Sequence, residues 1–286
     1  MLRIMKYFIL IVLAINNLFS ETLDIKYYGH FFWEIKTQTT KVYLLGSIHM
    51  ATEKFYPLPE IIEAAFIESD SLAVEFNINN VDPLQMMNFG LMTNQTLKDV
   101  LNEESYNLLL KAFEKANIPI ALFMNVKPWL AAMMVSNMNL LTDSIKPELG
   151  FDLYFLNKAA DQKGIIELES LKEQLEIFND DLKDFQNEFV KFSLLNPNNS
   201  LEMINTYYKL WNSNDIEGLE KIISEEFSDK QFQPIKEALY TKRNYKMAER
   251  IFKFFKTKKT YFVVIGAAHL IGKDGVIEIL KRKFNK

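Results

Sequence analysis

The chain has 286 residues, 49% of them hydrophobic and 24% charged, which is enough apolar material for a sizeable core and too much for a disordered chain. It holds no cysteine, so disulfides, thiolate catalysis, cysteine-based zinc ribbons and lipid attachment through cysteine are excluded. A net charge of −4 gives no basic footprint for nucleic acid, and short runs such as Lys242-Arg243 and Lys281-Arg282-Lys283 read as solvated helix faces.

The first twenty residues stand apart. Arg3 and Lys6 precede an unbroken apolar run from Tyr7 to Ile15, and Ser20 is followed by the polar Glu21-Thr22. This layout predicts a signal peptide over 1–20, cleaved after Ser20, with 21–286 as one exported domain in the periplasm, cell envelope or extracellular space. The alternatives are an uncleaved anchor or a buried first helix. The apolar run is far shorter than the ~20 residues a spanning helix needs, so no stable membrane span is expected once it is removed. Loss of Arg3 and Lys6 takes the net charge to about −6.

Five stretches downstream read as strands: Phe31 to Ile35, Lys41 to Leu45, Ser71 to Phe76, Ile165 to Leu168 and Tyr261 to Ile265. They are short and densely apolar, as in strands covered on both faces. Between them lie helical patterns: Leu58 to Glu68 with Pro59 near its start, amphipathic stretches over Ser105 to Ala116 and Pro128 to Asn139, and Phe151 to Gln162 stopping at Gly164. Leu171 to Lys256 is helical almost throughout, broken at Asn196-Pro197-Asn198-Asn199, and Gly275 to Phe284 forms a last helix. The order predicts an α/β fold: a mixed or mostly parallel central sheet, flanking helices and a long helical insertion. Amphipathic helices usually bury one face, so the insertion is expected to pack on the sheet as scaffold rather than form a lid or partner surface.

Only three histidines occur, His30, His49 and His269. Two of them close a Gly-x-x-His that follows an apolar strand: Gly46-Ser47-Ile48-His49 and Gly266-Ala267-Ala268-His269. Glycine lets the backbone turn sharply at a strand end, and a histidine three residues on can point back over the sheet edge. Glu75 ends one strand and Glu169 follows another. If those strands are parallel neighbours, two imidazoles and two carboxylates meet where open α/β sheets bind ligands. That donor set suits a divalent zinc, manganese or cobalt ion. The structural alternatives are hydrogen-bonded core histidines, a strand-end ion pair for Glu75 and a helix-start carboxylate for Glu169. His30, beside Phe31-Phe32-Trp33, reads as a packing or surface residue. No His-Glu-x-x-His, Gly-x-Ser-x-Gly or phosphate-binding loop is present.

The ordered blocks Val42 to His49, Tyr56-Pro57-Leu58-Pro59, Ser69 to Leu72 with Glu75, Gly150-Phe151-Asp152, Leu168-Glu169-Ser170 with Glu173-Gln174-Leu175, Arg243-Asn244 and Val264 to Leu270 with Gly272 and Gly275 resemble the TraB/GumN family, which includes the TIKI metalloproteases. The resemblance implies a metal site on His49, Glu75 and His269, with Glu169 as a further ligand or general base. It carries Arg243 over as a charge-stabilising group, the alternative being a structural ion pair, and Gln174, Asn244, Gly46 and Gly266 as supporting positions. Where the family block reads Leu-Glu-Thr, this chain has Leu168-Glu169-Ser170. The function expected is metal-dependent cleavage of a peptide, or of another amide or ester, outside the cytoplasm. The competing readings are a peptide-sequestering protein without turnover and a small-molecule esterase. The oligomeric state is left open.

Overall fold

The computed structural model describes residues 23–140, 145–160, 162–195 and 201–285. The expected signal peptide and the break at 196–199 lie outside them. Six strands form one mixed sheet in the order β1-β2-β3-β6-β4-β5: β1 Asp24–Tyr27, β2 Phe32–Lys36, β3 Lys41–Ser47, β4 Ser71–Val74, β5 Gly164–Glu167 and β6 Thr260–Gly266. β1, β2 and β3 pair antiparallel, whereas β3, β6, β4 and β5 run parallel. Asp24–Tyr27 is an edge strand with alternating exposure, and its Asp-Ile-Lys-Tyr sequence lacks the dense apolar run that marked the others.

β3 and β6 are buried over all but their first residues, with helices on both faces. Phe262, at the sheet centre, sits 4.8 Å from the Phe155 ring, 5.6 Å from Phe66 and 6.1 Å from Phe32, tying helices Phe151–Ala159 and Glu60–Glu68 to the strands. The helix Glu60–Glu68 begins one residue after Pro59, which caps it from outside rather than occupying its first turn.

Leu171 to Lys256 is helical as expected, but it packs into two hydrophobic clusters that it shares with the helices preceding β5. The helix Pro128–Leu140 lies between them. Ala131, Ala132 and Val135 face one cluster, and Trp129 faces the other, with Leu130 and Met133 packed against it. Apolar surface on two sides replaces the single stripe of the amphipathic reading. No helix among the described residues is long and apolar enough to cross a membrane.

Candidate active site

His49, Glu75, Glu169 and His269 all follow the carboxyl ends of the parallel strands β3, β4, β5 and β6. Register explains why they meet. Gly46 pairs with Ile265 and Ser47 with Gly266, so the two Gly-x-x-His segments leave adjacent strands side by side. Beyond β4 and β5 the backbone keeps pairing: Leu168 N–H donates to Val74 O at 2.8 Å and Glu169 N–H to Glu75 O at 2.7 Å. The two carboxylates are therefore neighbours, and both are buried, at 5% and 2% exposure.

The Arg243 guanidinium, on helix Lys242–Phe254, joins them. Its Nη2 donates to Glu75 Oε2 at 2.5 Å and to Glu169 Oε2 at 2.6 Å, and its Nε donates to Glu169 Oε2 at 2.9 Å. Gln174 Nε2 adds a bond to Glu169 Oε2 at 3.2 Å. Glu75 Oε1 accepts from Gly266 N–H at 2.7 Å and lies 3.8 Å from His269 Nε2. Burial by itself would raise the Glu75 pKa, but Arg243, the two histidines and Gly266 N–H override it and hold the carboxyl well below its usual range.

His269 sits on the short helix Ala267–Leu270 and is 5% exposed. Burial drives its pKa down to about 3, with Arg243 acting in the same direction and Glu75 against it, so the ring is neutral. Its Nδ1 lies 2.6 Å from Asn244 Oδ1, and Asn244 Nδ2 donates to Asp274 O at 2.8 Å. With the amide oxygen facing the ring, Nδ1 carries the proton and Nε2 presents a lone pair toward Glu75. The Tyr240 ring packs 5.2 Å away.

His49 differs in setting. Its ring looks into an open cavity with 65% of the side-chain surface accessible, and Nδ1 lies 2.9 Å from Asp152 Oδ2. The Asp152 charge pushes its pKa up to about 9 against the effect of surrounding protein. Ser47 Oγ–H donates to the other Asp152 oxygen at 3.0 Å. Asp152 is delivered by the first turn of helix Phe151–Ala159, whose Phe151 N–H donates to Ile48 O at 3.1 Å. A side chain on Gly150 would run into the His49 carbonyl oxygen.

The sequence assigns Asp152 no role, although it lies in the family-like Gly150-Phe151-Asp152 block. Neither Gly46 nor Gly266 has a positive φ, which among glycines belongs to Gly29 and Gly272. What excludes a side chain is close approach. A Cβ on Gly46 would lie 3.0 Å from Ala267 Cα and from Phe31 Cβ. A Cβ on Gly266 would lie 3.3 Å from Glu75 Oε1, 3.3 Å from His269 Cδ2 and 3.6 Å from His49 Nε2. One methyl-sized space is thus bordered by both imidazoles and the carboxylate. His30 is elsewhere, packed on Trp211 with ring centroids 4.5 Å apart.

The cavity beside this cluster has a volume of about 380 Å³. His49, Glu75, Asp152, Gln174 and Arg243 form its polar end, while Met86, Trp129, Met133 and Phe178 belong to a broad apolar wall drawn from three separate helical segments. The imidazole nitrogens and Glu75 Oε1 are donor types that a divalent transition ion takes, and each imidazole has its Nδ1 already engaged, as metal-bound histidines do. As placed, no three His, Asp or Glu side chains among the described residues close around one point at metal-holding spacing.

No solved structure matches the chain. It is similar to the uncharacterized protein YbaP of Escherichia coli (strain K12) and of Shigella flexneri, each 23% identical over 241 residues, which is 84% of this chain and 87% of the relative. The model of the TraB/PrgY/gumN family matches residues 31–283, from the end of the first turn to the last helix and across every strand end that carries the site, and the chain belongs to that family.

Proposed function

We propose that the chain is an exported, metal-dependent hydrolase that cleaves an amide or ester bond in a peptide-like substrate. The observation that carries this reading is the shared border of His49 Nε2, His269 and Glu75 Oε1 around Gly266, at the polar end of an apolar cavity. His49, His269 and Glu75 would hold the ion, which when bound would polarise the substrate carbonyl and acidify a water molecule.

The chain's own groups do the rest. Asn244 keeps the His269 lone pair aimed at Glu75, and Asp152 orients His49. Arg243 lines the cavity, so its guanidinium can face charge developing on a substrate oxygen while it neutralises Glu75 and Glu169. Glu169, next to it, is the candidate to accept a proton in exchange for one of those hydrogen bonds. The apolar wall excludes water and strengthens each of these interactions. Sequestration of a peptide without turnover is the second reading, supported by the hold that Arg243 and Gly266 keep on Glu75.

The test is metal analysis of purified protein, beside His49→Ala and His269→Ala, followed by a peptide-library digest with added manganese, cobalt or zinc. Metal uptake and cleavage lost in both variants are expected. Cleavage undiminished in both variants would refute the assignment. Tight peptide binding without cleavage under any ion would favour sequestration.

A further inference from the structure

A second cavity of about 390 Å³ lies behind the apolar wall of the first and opens to solvent. Trp129 and Phe178 border both cavities. Their rings stack 4.7 Å apart and 16° from parallel, forming a sill between the two spaces. The sill is held firmly. Trp129 Nε1–H donates to Asn179 Oδ1 at 3.1 Å, and Gln186 bridges Trp129 N–H (3.1 Å) and Phe178 O (3.1 Å). Phe178 and Asn179 belong to a π-helical turn, Ile177–Asp181, a form that recurs at functional sites.

Lys127 stands in this second cavity. Its Nζ donates to Asn179 Oδ1 at 2.9 Å, a neutral partner. It is half-buried, and burial lowers its pKa while the more distant Asp180 pushes the other way. Lys183 and Asp184 also border the cavity and bring opposite charges. The Lys127 ammonium therefore borders the space with a neutral hydrogen-bond partner and only the more distant Asp180 charge, and a bound anion would give it a direct charge partner.

We infer that the second cavity is a subsite for the carboxylate that ends an apolar chain. The chain's apolar segment would lie over the Trp129–Phe178 sill in the first cavity, and the bond to be cut would lie toward Glu75 and Arg243. The placing of that bond rests on the hydrolase reading, but capture of the carboxylate does not. A peptide's free C-terminus and a fatty acid share this chemistry.

Calorimetric titration of the full chain at pH 7 separates the cases. The ligands are an apolar pentapeptide as free acid, the same peptide as C-terminal amide, and decanoate. The acid should bind about tenfold or more tightly than the amide. Lys127→Met should abolish that difference while leaving the amide's affinity unchanged, and Lys127→Arg should keep it. Lys127-dependent binding of decanoate in place of the peptide would support the subsite and name a fatty acid as its source. Equal affinity of acid and amide, equal weakening of both by Lys127→Met, or no binding of any of the three overturns the subsite. A peptide bound by its carboxylate but left intact with every added ion sinks the hydrolase reading alone. A peptide cut without preference for the acid sinks the subsite alone.

Discussion

Replacing Arg243 with methionine removes the one cation shared by two buried carboxylates while keeping most of the side chain's bulk. Glu75 and Glu169 are 5% and 2% exposed, and each would keep a single hydrogen-bond donor, Gly266 N–H and Gln174 Nε2 respectively, with the His49 charge still acting on Glu75. Breaking a buried ion pair by deleting one partner costs about 3–5 kcal/mol, because a charge is left behind without compensation. The surviving donors place this case near ~4 kcal/mol. At about 2.1 cal/mol/K per residue, a chain of 286 residues has an unfolding entropy near 0.6 kcal/mol/K, so Tm should fall by roughly 7 °C. The pH dependence should also change. In the native protein the Glu75 pKa is depressed, so its contribution is present above the ordinary carboxylate range and is lost as pH falls through it. Without Arg243, burial is opposed only by the histidines and Gly266 N–H, so that pKa should rise and the variant should lose less stability than the native protein as pH falls. The assay is thermal unfolding with chelator present, from pH 5 to pH 8. A Tm change under about 2 °C together with parallel pH profiles would refute the view that this guanidinium compensates both acids. Adding Glu169→Gln to Arg243→Met should recover part of the loss.

Two further outcomes follow from the geometry. Gly266→Ala should fold, at a cost of about 1–3 kcal/mol for the tight contacts, yet lose most metal uptake and turnover, because its methyl enters the space bordered by His49, Glu75 and His269; unaltered metal stoichiometry in elemental analysis would contradict this. Glu173 closes a capping box with Ser170 and pairs with Arg250, and the Arg250 hydrogen bond, reinforced by Ser170 N–H, lowers its pKa to about 2. Its contribution should be fully present above about pH 4.5 and fade as pH falls toward 2. Glu173→Gln should therefore cost ~1 kcal/mol in urea unfolding at pH 7 and less at pH 4, the pair being partly solvent-screened.

The parts of the molecule visible in sequence are those where one local signal suffices. β3 and β6 announce themselves as apolar runs, and both turned out to be central strands buried along nearly their whole length. The repeated Gly-x-x-His had meaning because the two strands before it are hydrogen-bonded neighbours in parallel register. Asp24–Tyr27 escaped because half its residues face solvent at a sheet edge. Asp152 escaped because its role depends on a helix N-terminus folding back onto Ile48, a contact more than a hundred residues distant in the chain. The crowding around Gly46 and Gly266 is not legible in sequence, because close approach of a neighbouring strand or side chain leaves no local trace. The two-sided burial of Pro128–Leu140 depends on partners on either side that arrive from separate parts of the chain.

The strand order has a consequence for how the polypeptide is made. β6, at 260–266, is synthesised almost last, yet it lies between β3 and β4, which are finished some two hundred residues earlier. Until the ribosome releases the C-terminal segment, the nascent chain holds two unpaired apolar strand borders with a gap of one strand between them. Closure waits on the most sequence-distant pairing in the sheet, which makes assembly slow and largely post-synthetic and leaves the waiting borders open to association with other chains.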